Sequence, residues 1–161
     1  MRKIKSLLKK LLVSFLICYI VLLKHHSFAR NFDDGARSFL AEQTQQFIDQ
    51  YASITIYSTE PEDVPAHFNS DKSIFYSCCT TGIAYMYEIF LGLDIYSLGF
   101  NAYAATNKTS LRNEYWHEVS PAEAKPGDIL VRDGHAEMVA AANPSASSTR
   151  DLRHFNFGSS D

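Results

Sequence analysis

Basic residues are scarce beyond the first thirty positions, cysteines are few, and no metal or phosphate motif is present. Each shortage removes a class of function. Of fifteen Lys and Arg, six precede Arg30, whereas all eighteen Asp and Glu follow it. The chain is formally −3, but nine basic residues against eighteen acidic ones leave the part from Arg30 onward at about −9. No Lys/Arg cluster follows Ala29. Nucleic-acid binding draws mainly on phosphate neutralisation, so an acidic surface argues against it. There is no CxxC, HxxxH or HExxH spacing, so a zinc site is not expected. No glycine-rich phosphate loop occurs, and no cofactor is implied. The scattered carboxylates form no pair of the kind glycoside hydrolysis needs.

Basic residues are concentrated at the N-terminus. Arg2, Lys3, Lys5, Lys9 and Lys10 precede an apolar run, Leu11 to Leu23, interrupted only by Ser14. Ser27-Phe28-Ala29 follows with small residues at the two positions a signal peptidase reads. Charged head, short apolar core and small-x-small exit predict a cleavable signal peptide over 1–29. The run is short for a bilayer span, although an uncleaved anchor stays open as the alternative. Either way the rest of the chain is expected outside the cytoplasmic membrane, secreted or periplasmic. Residues 30–161, about 130 in number, suit one domain with aromatic material enough for a core. Only Cys78 and Cys79 remain there. Adjacent cysteines rarely bridge each other, so a free thiol is expected in an oxidising compartment.

The periodicities alternate between helix and strand. Asp33-Asp34 suits a helix start, and Ala36, Phe39, Leu40, Phe47, Ile48 and Tyr51 then share a helical face. Ser53 to Ser58 has the β-branched alternation of a short strand. Glu60 to Pro65 is an acidic, proline-punctuated loop. Ser77 to Leu91 is a second helix, with Ile83, Tyr87 and Phe90 in phase and Gly92 as its stop. The stretch 93–118 is aromatic without periodicity and suits either a groove lining or a packed element. Asn107-Lys108-Thr109 fits a glycosylation sequon. Ile129 to Val131 predicts a strand after the Pro126-Gly127-Asp128 turn. Arg132-Asp133-Gly134 is a tight turn, and His135 opens a returning strand that runs to Ala141. Leu152 to Phe157 is a further strand.

The chemistry gathers at the second helix and the strand after it. A cysteine at a helix start feels the positive end of the dipole and unpaired N–H groups, both of which favour thiolate. A histidine about 55 residues on supplies a general base. The same N–H groups can hold an oxyanion. Cys78 or Cys79 is therefore the candidate nucleophile, the other then structural or a reserve thiol, and His135 is the candidate base. A third group that orients the imidazole is sought downstream, where His154 and Asn143 are available. His67 and His117 lie outside any motif, and Asp128 is taken as a turn residue.

The strings YSCCTTGIAYMYEIFLG and AKPGDILVRDGHAEMVA resemble the NlpC-type cell-wall peptidases and the related CHAP amidases over roughly Ser77 to Ala141. The resemblance implies Cys79 as nucleophile, with Cys78 where those families carry Asp, and His135 as base. It implies a third polar residue on the next strand, for which His154 is the better candidate and Asn143 the alternative. It implies an α+β, papain-like fold with the nucleophile helix on a small antiparallel sheet. The reaction would be amide hydrolysis through a thioester on peptidoglycan peptides, with an inhibitor or immunity protein as a conceivable partner. Two departures stand out. One extra residue precedes Gly82, and the upstream tyrosine motif is absent, leaving only Tyr57 and Tyr76. A secreted effector acting on another amide, an acyltransferase, an inactive binding module and a small structural protein stay open, as does a chain whose last strands lie beyond Asp161.

Overall fold

A computed structural model describes residues 32–58, 65–101, 111, 115–132 and 134–158. The expected signal peptide, the acidic stretch 60–64 and the sequon lie outside the described residues. The chain divides into two units, Met1–Ala36 and Arg37–Asp161. Of the first, residues 32–36 are described. They open helix α1 (Asp34–Gln50), where Asp33 Oδ1 accepts the Ala36 amide at 2.9 Å and so caps the helix.

The described residues are α+β. After α1 come β1 (Thr55–Ser58), β2 (His67–Phe68), β3 (Ile74–Ser77), α2 (Cys79–Leu91), β4 (Ile129–Arg132), β5 (His135–Ala141) and β6 (Arg153–Phe155), with short 3-10 turns at Tyr96–Leu98, Pro121–Glu123 and Thr149–Asp151. Two three-stranded sheets result. In the first, of order β1-β3-β2, β1 runs parallel to β3 and β2 antiparallel. The second, of order β4-β5-β6, is an antiparallel meander. Helix α2 lies against its central strand, β5.

An aromatic cluster joins the first sheet to both helices. Phe47 of α1 packs on Phe68 of β2 at 5.8 Å, on Phe75 of β3 at 5.5 Å and on Tyr85 of α2 at 6.1 Å between ring centroids. Along α1 the buried positions are Leu40, Ala41 and Thr44, one helical stripe that continues to Phe47. Phe39, assigned to the core face by spacing, is 46% exposed, since it stands one position round from that stripe. Among the described residues no helix is long and apolar enough to cross a membrane.

Strand β3 was not legible in the sequence. Its Ile-Phe-Tyr-Ser alternates half-buried and buried and runs into α2 with only Cys78 between them. The helix therefore begins at Cys79 rather than Ser77, because Cys78 is extended (φ −119°, ψ 180°). At the other end Gly92 adopts the left-handed conformation (φ 64°), and its amide bonds back to Glu88 O at 2.9 Å.

Two contacts fix α2 against the rest. The Tyr87 hydroxyl donates to the Gly127 carbonyl, and Gly127 N donates to Val139 O at 2.9 Å. The Pro-Gly-Asp turn thus ties the helix to β5. Asp128 serves that turn, accepting the Lys125 amide at 2.8 Å and pairing with Arg37 of α1. The second contact is Gly82, where the chain before the C-terminus passes very close. A Cβ there would lie 2.3 Å from Phe157 Cβ and 2.8 Å from Ser77 Oγ. Ser77 Oγ donates to Phe157 O at 2.8 Å and holds that approach.

Candidate active site

The site begins at the junction of β3 and α2. A helix start leaves amides without intrahelical partners, and oxygen-bearing side chains ordinarily take them. Here a sulfur does so. Thr81 N points at Cys78 Sγ at 3.5 Å, while Thr81 Oγ1 accepts the Cys78 amide at 2.8 Å, which is a reciprocal capping box. The hydroxyls of Thr80 and Thr81 lie 3.2 Å and 3.3 Å from the same sulfur. Cys78 is buried and Cys79 partly exposed, and both are unbridged.

The two thiols share one hydrogen bond, so the pair gives up a first proton easily and a second with difficulty. Cys78 is the more acidic of the two. The Cys79 thiol donates to it, the Thr80 and Thr81 groups add to that, and together they outweigh burial and hold it down to about 4. Cys79 moves the other way, pushed up first by its bond to Cys78 and then by burial, with the Ala136 and Thr80 amides opposing. The helix start thus stabilises an anion as the sequence suggests, but in the resting arrangement the stabilisation falls on the capping sulfur.

His135 comes from the second sheet. Arg132 pairs with His135 across a turn that contains Gly134 at φ 73°, so the hairpin delivers the histidine at the first position of β5. The next residue, Ala136, directs its backbone N–H to the Cys79 sulfur. A methyl group built on Gly158 would lie 3.7 Å from Cys79 N and 3.8 Å from His135 Cε1, so the amide and the ring border one small gap. The Cys79 backbone nitrogen and the His135 ring thus flank one point beside Gly158, from residues 56 positions apart in the chain.

Behind His135 lies a residue the sequence reading missed. Side chains two apart on a strand share a face, as do cross-strand partners. His135 and Glu137 therefore stand on one face of β5, joined by Arg132 opposite His135 and by His154 opposite Val139. The Glu137 side chain is only 4% exposed. Its Oε1 lies 3.4 Å from His135 Nε2 and 3.2 Å from His154 Nε2, within ion-pair reach of both, and its Oε2 accepts a hydrogen bond from Arg132. His154 thus reaches the cluster through the carboxylate. A buried carboxylate demands such partners, and the His-x-Glu spacing on a strand was the available signal.

Other candidates lie elsewhere. Asn143 spends its amide on a turn, donating to Asp151 O at 3.0 Å and accepting from Ser145 N at 3.1 Å. Tyr57 and Tyr76 face each other in the first sheet, where Tyr76 stacks on His67 at 5.1 Å. The tyrosine whose field includes the thiols is Tyr96. Its phenol is pushed up to about 12, mainly by burial, then by Cys78, Asp94 and Cys79. It belongs to the aromatic stretch, whose other described members divide: Phe100 is fully buried against Trp116, whose Nε1 donates to Leu98 O at 2.7 Å.

No family model, curated protein or solved structure matches this chain.

Proposed function

We propose that this chain is an exported cysteine hydrolase that cleaves amide bonds, with Cys79 as nucleophile and His135 as general base. The observation that carries the reading is that the Cys79 amide and the His135 ring flank one point beside Gly158, while His135 Nε2 lies 3.4 Å from the nearly buried Glu137 carboxylate. In this reading Cys79 passes its proton to His135 and Sγ attacks the carbonyl carbon. The carbonyl electron pair moves to oxygen, beside the amides at the start of α2. On collapse the C–N bond breaks, and the leaving nitrogen takes the proton from the imidazolium. Water then attacks the thioester carbon and gives a proton to His135; the C–S bond breaks, and the imidazolium returns that proton to Sγ as the acid leaves.

The resemblance to NlpC-type and CHAP enzymes supports two finer proposals. The fold is of the papain-like kind, and the substrate is a stem peptide or cross-bridge of peptidoglycan. A signal peptide would send the enzyme across the cytoplasmic membrane, and an inhibitor or immunity protein would be its natural protein partner. The test is incubation of the protein with purified peptidoglycan, counting new amino groups. New amines from wild type and none from Cys79→Ala support the proposal. Equal release from both, or none from either, contradicts it.

A further inference from the structure

We infer that Gly158 is a specificity-determining residue of this site, left without a side chain so that a small acyl group, glycyl or alanyl, enters between the Cys79 amide and the His135 ring. The fold does not require a glycine there. Glycine is ordinarily kept where φ is positive or where a neighbour leaves no room for a Cβ. The first reason covers Gly92, Gly99, Gly127 and Gly134. The second covers Gly82 and Gly35, where a Cβ would meet Phe157 Cβ at 2.3 Å and Asp33 Oδ1 at 3.2 Å. Gly158 has neither. Its φ lies outside the left-handed region, and a Cβ on it would make ordinary van der Waals contacts, 3.7 Å from Asn156 Oδ1, 3.7 Å from Cys79 N and 3.8 Å from His135 Cε1.

The opening left by the missing side chain is fixed in place and reachable. Ser77 Oγ donates to Phe157 O at 2.8 Å, Phe157 is buried over Gly82, and Gly158 N donates to Asn156 Oδ1 at 2.9 Å, so the segment is held against α2 without help from a ligand. Gly158 itself is half-buried. Cys79 N belongs to the first residue of α2, where amides lack intrahelical acceptors and an acyl oxygen is a suitable partner. A methyl-sized group in the opening touches that amide, the imidazole and the Asn156 carboxamide together. A glycyl or alanyl group is of that scale, whereas a β-branched acyl residue would press on all of them. That the acyl group is then cleaved from its amine rests on the proposed Cys79–His135 chemistry; that a small one enters does not.

The test compares wild type with Gly158→Ala in the full-length chain. The urea midpoint should be unchanged or higher, since alanine at an unstrained position restricts the unfolded chain. A lower midpoint means that the fold needs the glycine and overturns the inference. Cys79 is then alkylated with iodoacetamide, 2-iodopropanamide and 2-iodo-3-methylbutanamide, whose α-carbons match glycyl, alanyl and valyl groups. Each rate is divided by that of the urea-unfolded chain, which cancels the reagents' own reactivities. Wild type should take the first two alike and the third about tenfold more slowly, and Gly158→Ala should slow the second about tenfold relative to the first. No discrimination by size in wild type, or the same discrimination in both chains, overturns the inference. Amine release from soluble stem peptides separates the two claims. A KM raised about tenfold by Gly158→Ala at unchanged kcat supports both, and an unchanged KM overturns the inference. The expected labelling with no release from wild type overturns the hydrolase reading alone.

Discussion

Cys78 and Thr81 cap helix α2 reciprocally: Thr81 Oγ1 accepts the Cys78 amide at 2.8 Å, and the Thr81 amide turns to the Cys78 sulfur at 3.5 Å. An anionic sulfur here puts a single negative charge at the positive end of a helix, as a capping Asp would. Cys78→Ala should therefore cost about 1 kcal/mol in urea unfolding, the usual effect of losing a cap, and Cys78→Asp should restore it.

The same contact gives stability a pH dependence with a definite sign. The Cys78 thiol falls from 9.0 to about 4 on folding. Between those values the unfolded chain binds the extra proton, so this contribution is complete near the upper value and lost as pH falls toward the lower one. Cys79 is raised, so it takes stability away once the unfolded thiol ionises, above about pH 9. The unfolding free energy of wild type minus that of Cys78→Ser should increase from about pH 5 to about pH 8. A flat difference would mean that Cys78 is not ionised in the fold.

Gly82 is required by the approach of Phe157 rather than by its backbone angles. A Cβ 2.3 Å from Phe157 Cβ and 2.8 Å from its Cγ forces the segment near the C-terminus away from α2. Gly82→Ala should lose about 1–3 kcal/mol despite the better helix propensity of alanine. Because Gly158 borders both Cys79 and His135, the same variant should slow Cys79 alkylation.

Thr44 offers the opposite case. It is fully buried in α1, and its hydroxyl has no hydrogen-bond partner among the described residues. Thr44→Val keeps the shape and removes the unsatisfied group, so stability should rise by about 1 kcal/mol, measured by the urea midpoint at unchanged slope.

Much of this architecture was legible because the local signals agree. Asp33 and Gly92 mark helix ends, and the turn containing Gly134 fixes a hairpin whose second strand starts at His135. What stayed hidden depends on distant partners. Residues 74–76 carried no strand signal, and Ser77, the last residue of β3, read as the beginning of α2 because it and the cysteines suit a helix start equally well. Only the pairing of β3 with β1 and β2 makes Ile74–Ser77 extended. Glu137 looked like one acidic residue among eighteen, and its importance comes from Arg132 and His154 reaching it from neighbouring strands. The nearness of Tyr96 to the thiols had no sequence signal beyond its place in an aromatic stretch.

The central claim is that Cys79 and His135 work as a pair, and alkylation tests it most directly. Iodoacetamide labelling would be followed across pH, site by site by mass spectrometry, in wild type, His135→Ala and Cys78→Ser. At rest the buried Cys78 is the more acidic thiol, so wild type should alkylate at the partly exposed Cys79 only as its proton passes to His135, below the ordinary thiol range, and His135→Ala should lose that reactivity. Cys78→Ser removes the largest influence raising Cys79, so its labelling should move to lower pH. Labelling confined to Cys78, or a Cys79 profile at the pH of an ordinary thiol and indifferent to His135→Ala, would contradict the account.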